Sequence, residues 1–197
     1  MAAEAGGTVQ AGADVQALVR DGALAGRWVL DPRASRVEFG VRHFWGAVTV
    51  RGRFERLEGE GVVGPDGKIS GQLVMDAASL DTKNKQRDRH LRSGDFFDVL
   101  DHPRVVVTVS QAELTHGAQL AAEGELEAAG VREPLSFTAE VVDASPDAVT
   151  LQAELTVDRS RFGMTWSPLR MTSMQATGSV TARFTRAGAG SPPAARA

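Results

Sequence analysis

The chain has 197 residues, 22 of them Lys or Arg and 25 Asp or Glu, for a formal charge of −3. That length suits one domain of ordinary size, and the near-balance of charge excludes the basic field by which a nucleic-acid partner would be held. Cys and Tyr are absent, so disulfides, thiolate metal sites and Cys nucleophiles are excluded at once.

Residues 1–12 and the closing "AGAGSPPAARA" at 187–197 are small, polar and rich in Gly or Pro, the composition of tails that bury too little apolar surface to order themselves. The first residues show neither a basic start nor an apolar run of signal length, and no stretch approaches a membrane span. The expectation is a cytoplasmic protein without stable membrane insertion. Within 13–25, Val15, Leu18 and Val19 fall at i, i+3 and i+4, with Asp14 available as N-cap and Gly22 as terminator. The spacing predicts a short amphipathic helix over 14–21 that packs one apolar stripe on the rest of the domain.

From residue 34 the period becomes two, the mark of half-buried strands. Val37, Phe39, Val41 and His43 share one face; Val48, Val50, Gly52 and Phe54 come after the corner "FWG". "GPDG" at 64–67 reads as a turn, and Ile69, Gly71, Leu73 and Met75 form the next face. Runs through Val105–Val109, Leu120–Leu126, Leu135–Val141, Val149–Val157 and Ala176–Phe184 complete eight strands. Their connections are short except across 78–103 and 158–174, which predicts an all-β, up-and-down antiparallel barrel of eight strands. Barrels of this size either fill with side chains or hold one ligand. Small residues at inward positions (Gly52, Gly71, Ala122, Gly124, Ala139, Ala153, Ala176, Gly178, Ala182) favour a cavity.

The long insertion "SLDTKNKQRDRHLRSGDFFD" predicts a short helix near 82–101 with Thr82 as N-cap, a break at Ser93-Gly94, and a second turn capped by Asp95. His102-Pro103 returns the chain to extended geometry. Such a segment would close one barrel end, with Leu91, Phe96 and Phe97 as plug and Asp88, Arg89, His90, Arg92 and Asp98 in charge networks. "GEGVVG" at 59–64 has the spacing of a dinucleotide fingerprint but leads into a turn where that fingerprint needs a helix. His90, Asp88, Asp98 and His102 are the best metal candidates, yet their spacing follows no ligand ladder. No cofactor and no metal are expected. His116, beside Gly117, reads as an exposed turn residue.

The blocks "SRVEFGVRH…VRGRFERLEG", "ASLDT…RDRHLRSGDFFDVLDHP" and "VDRSRFGMTW" resemble the YceI-like family from about Gly26 to Arg186. The resemblance implies a lipocalin-like, extended eight-stranded antiparallel barrel over 26–186 that holds long apolar molecules such as polyisoprenoids. The periodicity offers a wall for such a ligand: Val37, Phe39, Val41, Val50, Phe54, Leu73, Met75, Leu151, Leu155 and Phe184, with Phe96 from the insertion. A polar head would meet His43, Arg42, Asp88, His90, Arg159 or Trp166 at the mouth, and Met75, Met164, Met171 and Met174 would add adaptable surface.

The expected partner is thus a long-chain isoprenoid, isoprenoid quinone or other lipid. Two alternatives stand beside it. One is an isomerase or cyclase with His43 or His90 as acid/base assisted by Asp88; the other is an interaction module acting as a homodimer, with the N-terminal helix in the interface or capping the far end of the barrel.

Overall fold

The computed structural model describes residues 14–188, apart from 168 and 170. The predicted tail at 1–12, and all but the first two residues of the predicted tail at 187–197, lie outside the described residues. Helix α1 runs over 14–20. It ends at Gly22, whose φ of 69° allows Ala23 N–H to reach Leu18 O at 2.9 Å and Gly22 N–H to reach Val19 O at 3.0 Å. These are the paired bonds of a glycine C-cap, one residue from the predicted helix end.

Eleven strand segments come next: β1 (Gly26–Leu30), β2 (Arg36–His43), β3 (Val48–Phe54), β4 (Leu57–Val63), β5 (Ile69–Asp76), β6 (Leu80–Asp81), β7 (Arg104–Leu114), β8 (Gln119–Ala128), β9 (Val131–Ala144), β10 (Ala148–Asp158) and β11 (Thr172–Arg186). They form one antiparallel sheet closed by the pairing of β1 with β11. Three staves are interrupted. β11 pairs with β1 at Phe184–Arg186 and with β2 from Thr172 to Thr181, so β1 and β2 are two halves of one bent stave. Likewise β3 and β4 together face β2 and β1, and β5 and β6 together face β4 and β3. The architecture is an eight-stranded antiparallel barrel.

The eight alternating runs are all strands. Three segments escape the period-two pattern: β1 is only five residues long, β4 is a Gly-interrupted "LEGEGVV", and β6 is two residues within the insertion. "GEGVVG" therefore lies mostly in a strand, far from the geometry a dinucleotide fingerprint requires.

β8 and β9 join through Ala129 (φ 48°) and Gly130 (φ 75°), a two-residue turn with both backbones left-handed. A Cβ on Gly130 would sit 2.4 Å from His102 Cε1, so this turn is also where the returning insertion packs.

β11, at 15 residues, sets the barrel's length. With a rise of about 3.3 Å per residue and a tilt of about 40°, it spans roughly 35 Å in height. Two apolar clusters divide that length. One, around Val37, Phe54, Met75, Leu80 and Phe162, lies toward the insertion; the other, around Val15, Ala118, Leu120, Ala139 and Val141, lies under α1. Val15 is 4% exposed, so the predicted apolar stripe of α1 caps the end of the barrel opposite the insertion. Trp28 Nε1–H donates to Leu24 O at 2.9 Å, and the Arg186 guanidinium stacks on the Trp28 ring while holding Ala25 O at 2.9 Å. These contacts tie the α1–β1 connection to the last strand.

Candidate functional site

The barrel interior contains two cavities end to end, of about 180 Å³ and about 230 Å³. Leu73, Val107, Leu155 and Val180 belong to the walls of both and form a waist. Each exceeds the roughly 150 Å³ of an engineered dry cavity that takes up benzene.

The space exists because small residues stand where the strand period points inward. Gly71, Ala122, Ala139, Ala153 and Ala182 border the chamber under α1, and Ala176 and Gly178 border the chamber under the insertion. Gly52 and Gly124 serve other ends. A Cβ on Gly52 would fall 2.4 Å from Phe39 Cζ, so this glycine seats the Phe39 ring; one on Gly124 would collide with Thr108 O at 1.8 Å, beside the β7 bulge.

Val15, Val19, Leu24 and Trp28 close the first chamber, whose walls include Leu151 and Phe184. Val37, Phe39, Val41 and His43 from β2 line the second, with Val50 and Phe54 from β3 and Met75 from β5. His90 and Phe96 from the insertion join them, as do Arg159 and Trp166 from the β10–β11 connection. Leu73 and Leu155 stand at the waist. The predicted wall residues, and His43, His90, Arg159 and Trp166 of the predicted mouth, therefore border one or other of these two adjoining chambers.

The insertion closes the second chamber by a construction that departs from the predicted one. β6 keeps the chain extended to Asp81, Lys83 turns it with φ 62°, and Asn84 caps helix α2 (Lys85–Leu91) by accepting from Gln86 N–H and Arg87 N–H at 3.1 Å. Thr82 is thus not the cap. Its backbone N–H and hydroxyl both donate to Asp88 Oδ1, at 2.9 and 2.6 Å, and Asp88 is 6% exposed. Nor does Asp95 cap a second turn: its carboxylate meets His90 Nε2 at 3.0 Å.

Leu91, Phe96 and Phe97 point into the chamber, and Phe97 meets Phe54 edge to face at 5.8 Å. Arg92 ties the plug to the wall through Ala78 O and Leu80 O. His90 is held by Asp95, Asp88 by Thr82, and His102 packs on the β8–β9 turn, so the metal candidates do not converge. Among the described residues no cluster of three or more potential ligands occurs. Of the other mouth candidates, Arg42 is exposed on the outer face and Asp88 is turned into the insertion. Met75 and Met164 border the chamber, whereas Met171 and Met174 do not.

The wall beside this chamber is finished by a loop. The β9–β10 ladder reaches only from Val149↔Ala144 to Ala153↔Ala139, and the 3-10 turn Arg159–Phe162 fills the gap above it. Arg161 pairs there with Glu133 on β9. Arg159 is 5% exposed and donates to Ser173 O (2.8 Å), Met164 O and Trp166 O (3.0 Å), with its guanidinium 5.8 Å from the Phe96 ring centre. Burial pushes its proton affinity down.

His43 Nδ1 lies 3.2 Å from Thr172 Oγ1; burial, then the charges of Arg159 and Arg87, hold its pKa below 6.5. His90 packs edge-on against Trp166 at 4.6 Å and Phe96 at 5.1 Å. Phe44 (φ 51°) and Trp45 (φ 55°), in the corner before β3, are exposed beside this mouth, Trp45 to 83%.

Several lining groups are not marked by the sequence pattern, chiefly Arg87, Leu24 and Trp28. The alternation in "GRWVL" is the available signal for Trp28, but five residues are too few to separate a strand from chance.

Comparisons with known proteins agree with this architecture. A UPF0312 protein from Vibrio campbellii is 30% identical over 132 residues, 64% of this chain and 68% of that protein. The crystal structure of BcnA from Burkholderia cenocepacia superposes with a TM-score of 0.71 at 19% identity, over 78% of this chain and 98% of that one. A polyisoprenoid-binding domain from Saccharophagus degradans does so with a TM-score of 0.67 at 19% identity, over 81% and 98%. The YceI-like domain matches residues 28–185, almost the whole barrel, and the chain belongs to the YceI-like family.

Proposed function

We propose that this protein binds and carries one long apolar molecule, an isoprenoid, isoprenoid quinone or other long-chain lipid, along the axis of its barrel. The observation that carries this reading is the pair of apolar chambers sharing the waist of Leu73, Val107, Leu155 and Val180. Two apolar chambers end to end in a barrel roughly 35 Å high suit a single extended chain that passes between these four side chains. Binding would draw on apolar area removed from water, worth about 25 cal/mol per Å². The similarity to a polyisoprenoid-binding domain supports the same ligand class.

The isomerase or cyclase alternative would need a different pair from the one expected, because Asp88 is committed to Thr82 and His90 meets Asp95 instead. Purification from the native host, organic extraction and mass spectrometry test the proposal. A stoichiometric long-chain lipid in the extract is the expected result. A barrel that emerges empty and also refuses added prenyl chains and fatty chains would overturn it.

A further inference from the structure

Among the described residues nine large apolar side chains are exposed, and five of them stand on two neighbouring loops, more than scattered surface residues would give. Phe44, Trp45 and Val48 belong to the β2–β3 corner, and Trp166 and Leu169 to the β10–β11 connection. Phe44 N–H donates to Met171 O at 2.7 Å, and Thr172 pairs with His43 where the strands end, so the two loops are joined. Trp166 also borders the second chamber, which places the patch at the rim of that end of the barrel.

Three of these side chains are held outward at a backbone cost. Phe44, Trp45 and Leu169 have φ of 51°, 55° and 52°, the left-handed region that bulky residues rarely enter. Gly or Asn at these positions would serve the isolated fold better. Trp45 and Leu169 nevertheless stand 83% and 84% exposed.

Behind the tips the charge has one sign. Arg42 and Arg51 are exposed on the outer face of β2 and β3, diagonal neighbours in the register Arg42↔Thr49 and Gly40↔Arg51. Neither enters an ion pair among the described residues. No Asp or Glu occurs between Glu38 and Glu55, nor from Arg159 to Arg186. Glu38 itself pairs with Arg36, and on the insertion Asp95 is engaged by His90. Free-standing aromatic and Leu tips backed by unpaired Arg match a surface that is apolar beneath and negatively charged at its face.

We propose that this end of the barrel docks on the surface of a bilayer containing anionic lipid. Phe44, Trp45 and Leu169 enter the headgroup region, and Arg42 and Arg51 meet the lipid phosphates. The contact is peripheral and independent of which molecule the barrel holds.

The test is flotation of the full chain with vesicles of phosphatidylcholine, and of phosphatidylcholine and phosphatidylglycerol in equal parts. Partition should be at least about tenfold higher on the mixed vesicles at low salt and approach the neutral value at high salt, since each Arg near an anionic surface contributes about fivefold. Asn tolerates left-handed backbone, so Trp45→Asn combined with Leu169→Asn should keep the melting temperature. It should lower partition by at least about tenfold, the equivalent of about 60 Å² of apolar contact. Arg42→Gln with Arg51→Gln should remove the preference for the mixed vesicles. Flotation with neither vesicle, or flotation that the Asn variant leaves unchanged, overturns the docking and leaves the carrier reading standing. Equal partition on both vesicles overturns the anionic surface. Self-association of the parent chain without flotation, abolished by Trp45→Asn, also overturns the docking and assigns the tips to a second copy.

Discussion

Replacing Gly178 by Leu puts four side-chain carbons into the second chamber with little distortion of the barrel. A Cβ at this position meets only Leu155 Cβ at 3.8 Å and Leu155 Cδ1 at 4.0 Å, ordinary contact distances. The rest of the side chain enters a cavity of about 230 Å³. The new residue adds buried apolar surface and removes a strand glycine, so the melting temperature should hold or rise. The ligand, in contrast, loses the volume of about four methylenes. At about 0.8 kcal/mol each, that is roughly 3 kcal/mol, or about 200-fold in Kd.

The assay is calorimetric titration with a long-chain lipid, paired with thermal unfolding of the same samples. Gly124→Ala is the counterpart: its Cβ would collide with Thr108 O, so it should lower the melting temperature sharply. A folded Gly178→Leu protein that binds the lipid as tightly as the parent would refute the reasoning, because the chain would then lie outside the second chamber.

Asp88→Ala removes the acceptor for Thr82 N–H and Thr82 Oγ1–H in a buried site, so urea unfolding should report a loss of about 3 kcal/mol; a loss below about 1 kcal/mol would mean the pair is solvated. His43 has its folded pKa held below 6.5 by burial and by Arg159 and Arg87. The unfolded chain takes up that proton first, so stability should fall as pH drops from about 6.5 toward the lower folded value and be flat above it. His43→Gln should remove that slope in denaturation series between pH 5 and 8, and an unchanged slope would assign it elsewhere. Val15→Asp places a carboxylate in the contact between α1 and Ala118, Leu120, Ala139 and Val141. Amide exchange over 14–24 should then quicken by about tenfold or more with the strands unaffected; an equal rise in the barrel strands would show that α1 is integral to the core.

The barrel is legible from sequence because strand alternation is a local property. In β2, β10 and β11 every second residue is apolar or small over most of the strand, and no tertiary contact changes which way those side chains point. The same alternation marks the wall residues and the small ones between them, since an inward glycine or alanine is visible as a gap in an apolar row. Gly22 and the stripe of Val15 and Val19 place α1 for similarly local reasons.

What the sequence could not decide depended on partners remote in the chain. Whether Thr82 caps a helix or feeds a buried carboxylate turns on where Asp88 arrives, and a nearer competitor, Asn84, took the cap. Whether His90, Asp88 and His102 gather or scatter is settled by Asp95, Thr82 and Gly130, each held by a different element. That Leu73 and Val107, paired across β5 and β7, border the same two chambers as Leu155 and Val180 on the paired β10 and β11 needs the sheet to close. The accumulation of Arg159, Arg87 and His43 at one pole joins the β10–β11 connection, α2 and the end of β2, segments tens of residues apart. Periodicity determines which face a residue occupies; only closure of the sheet determines which faces look at one another.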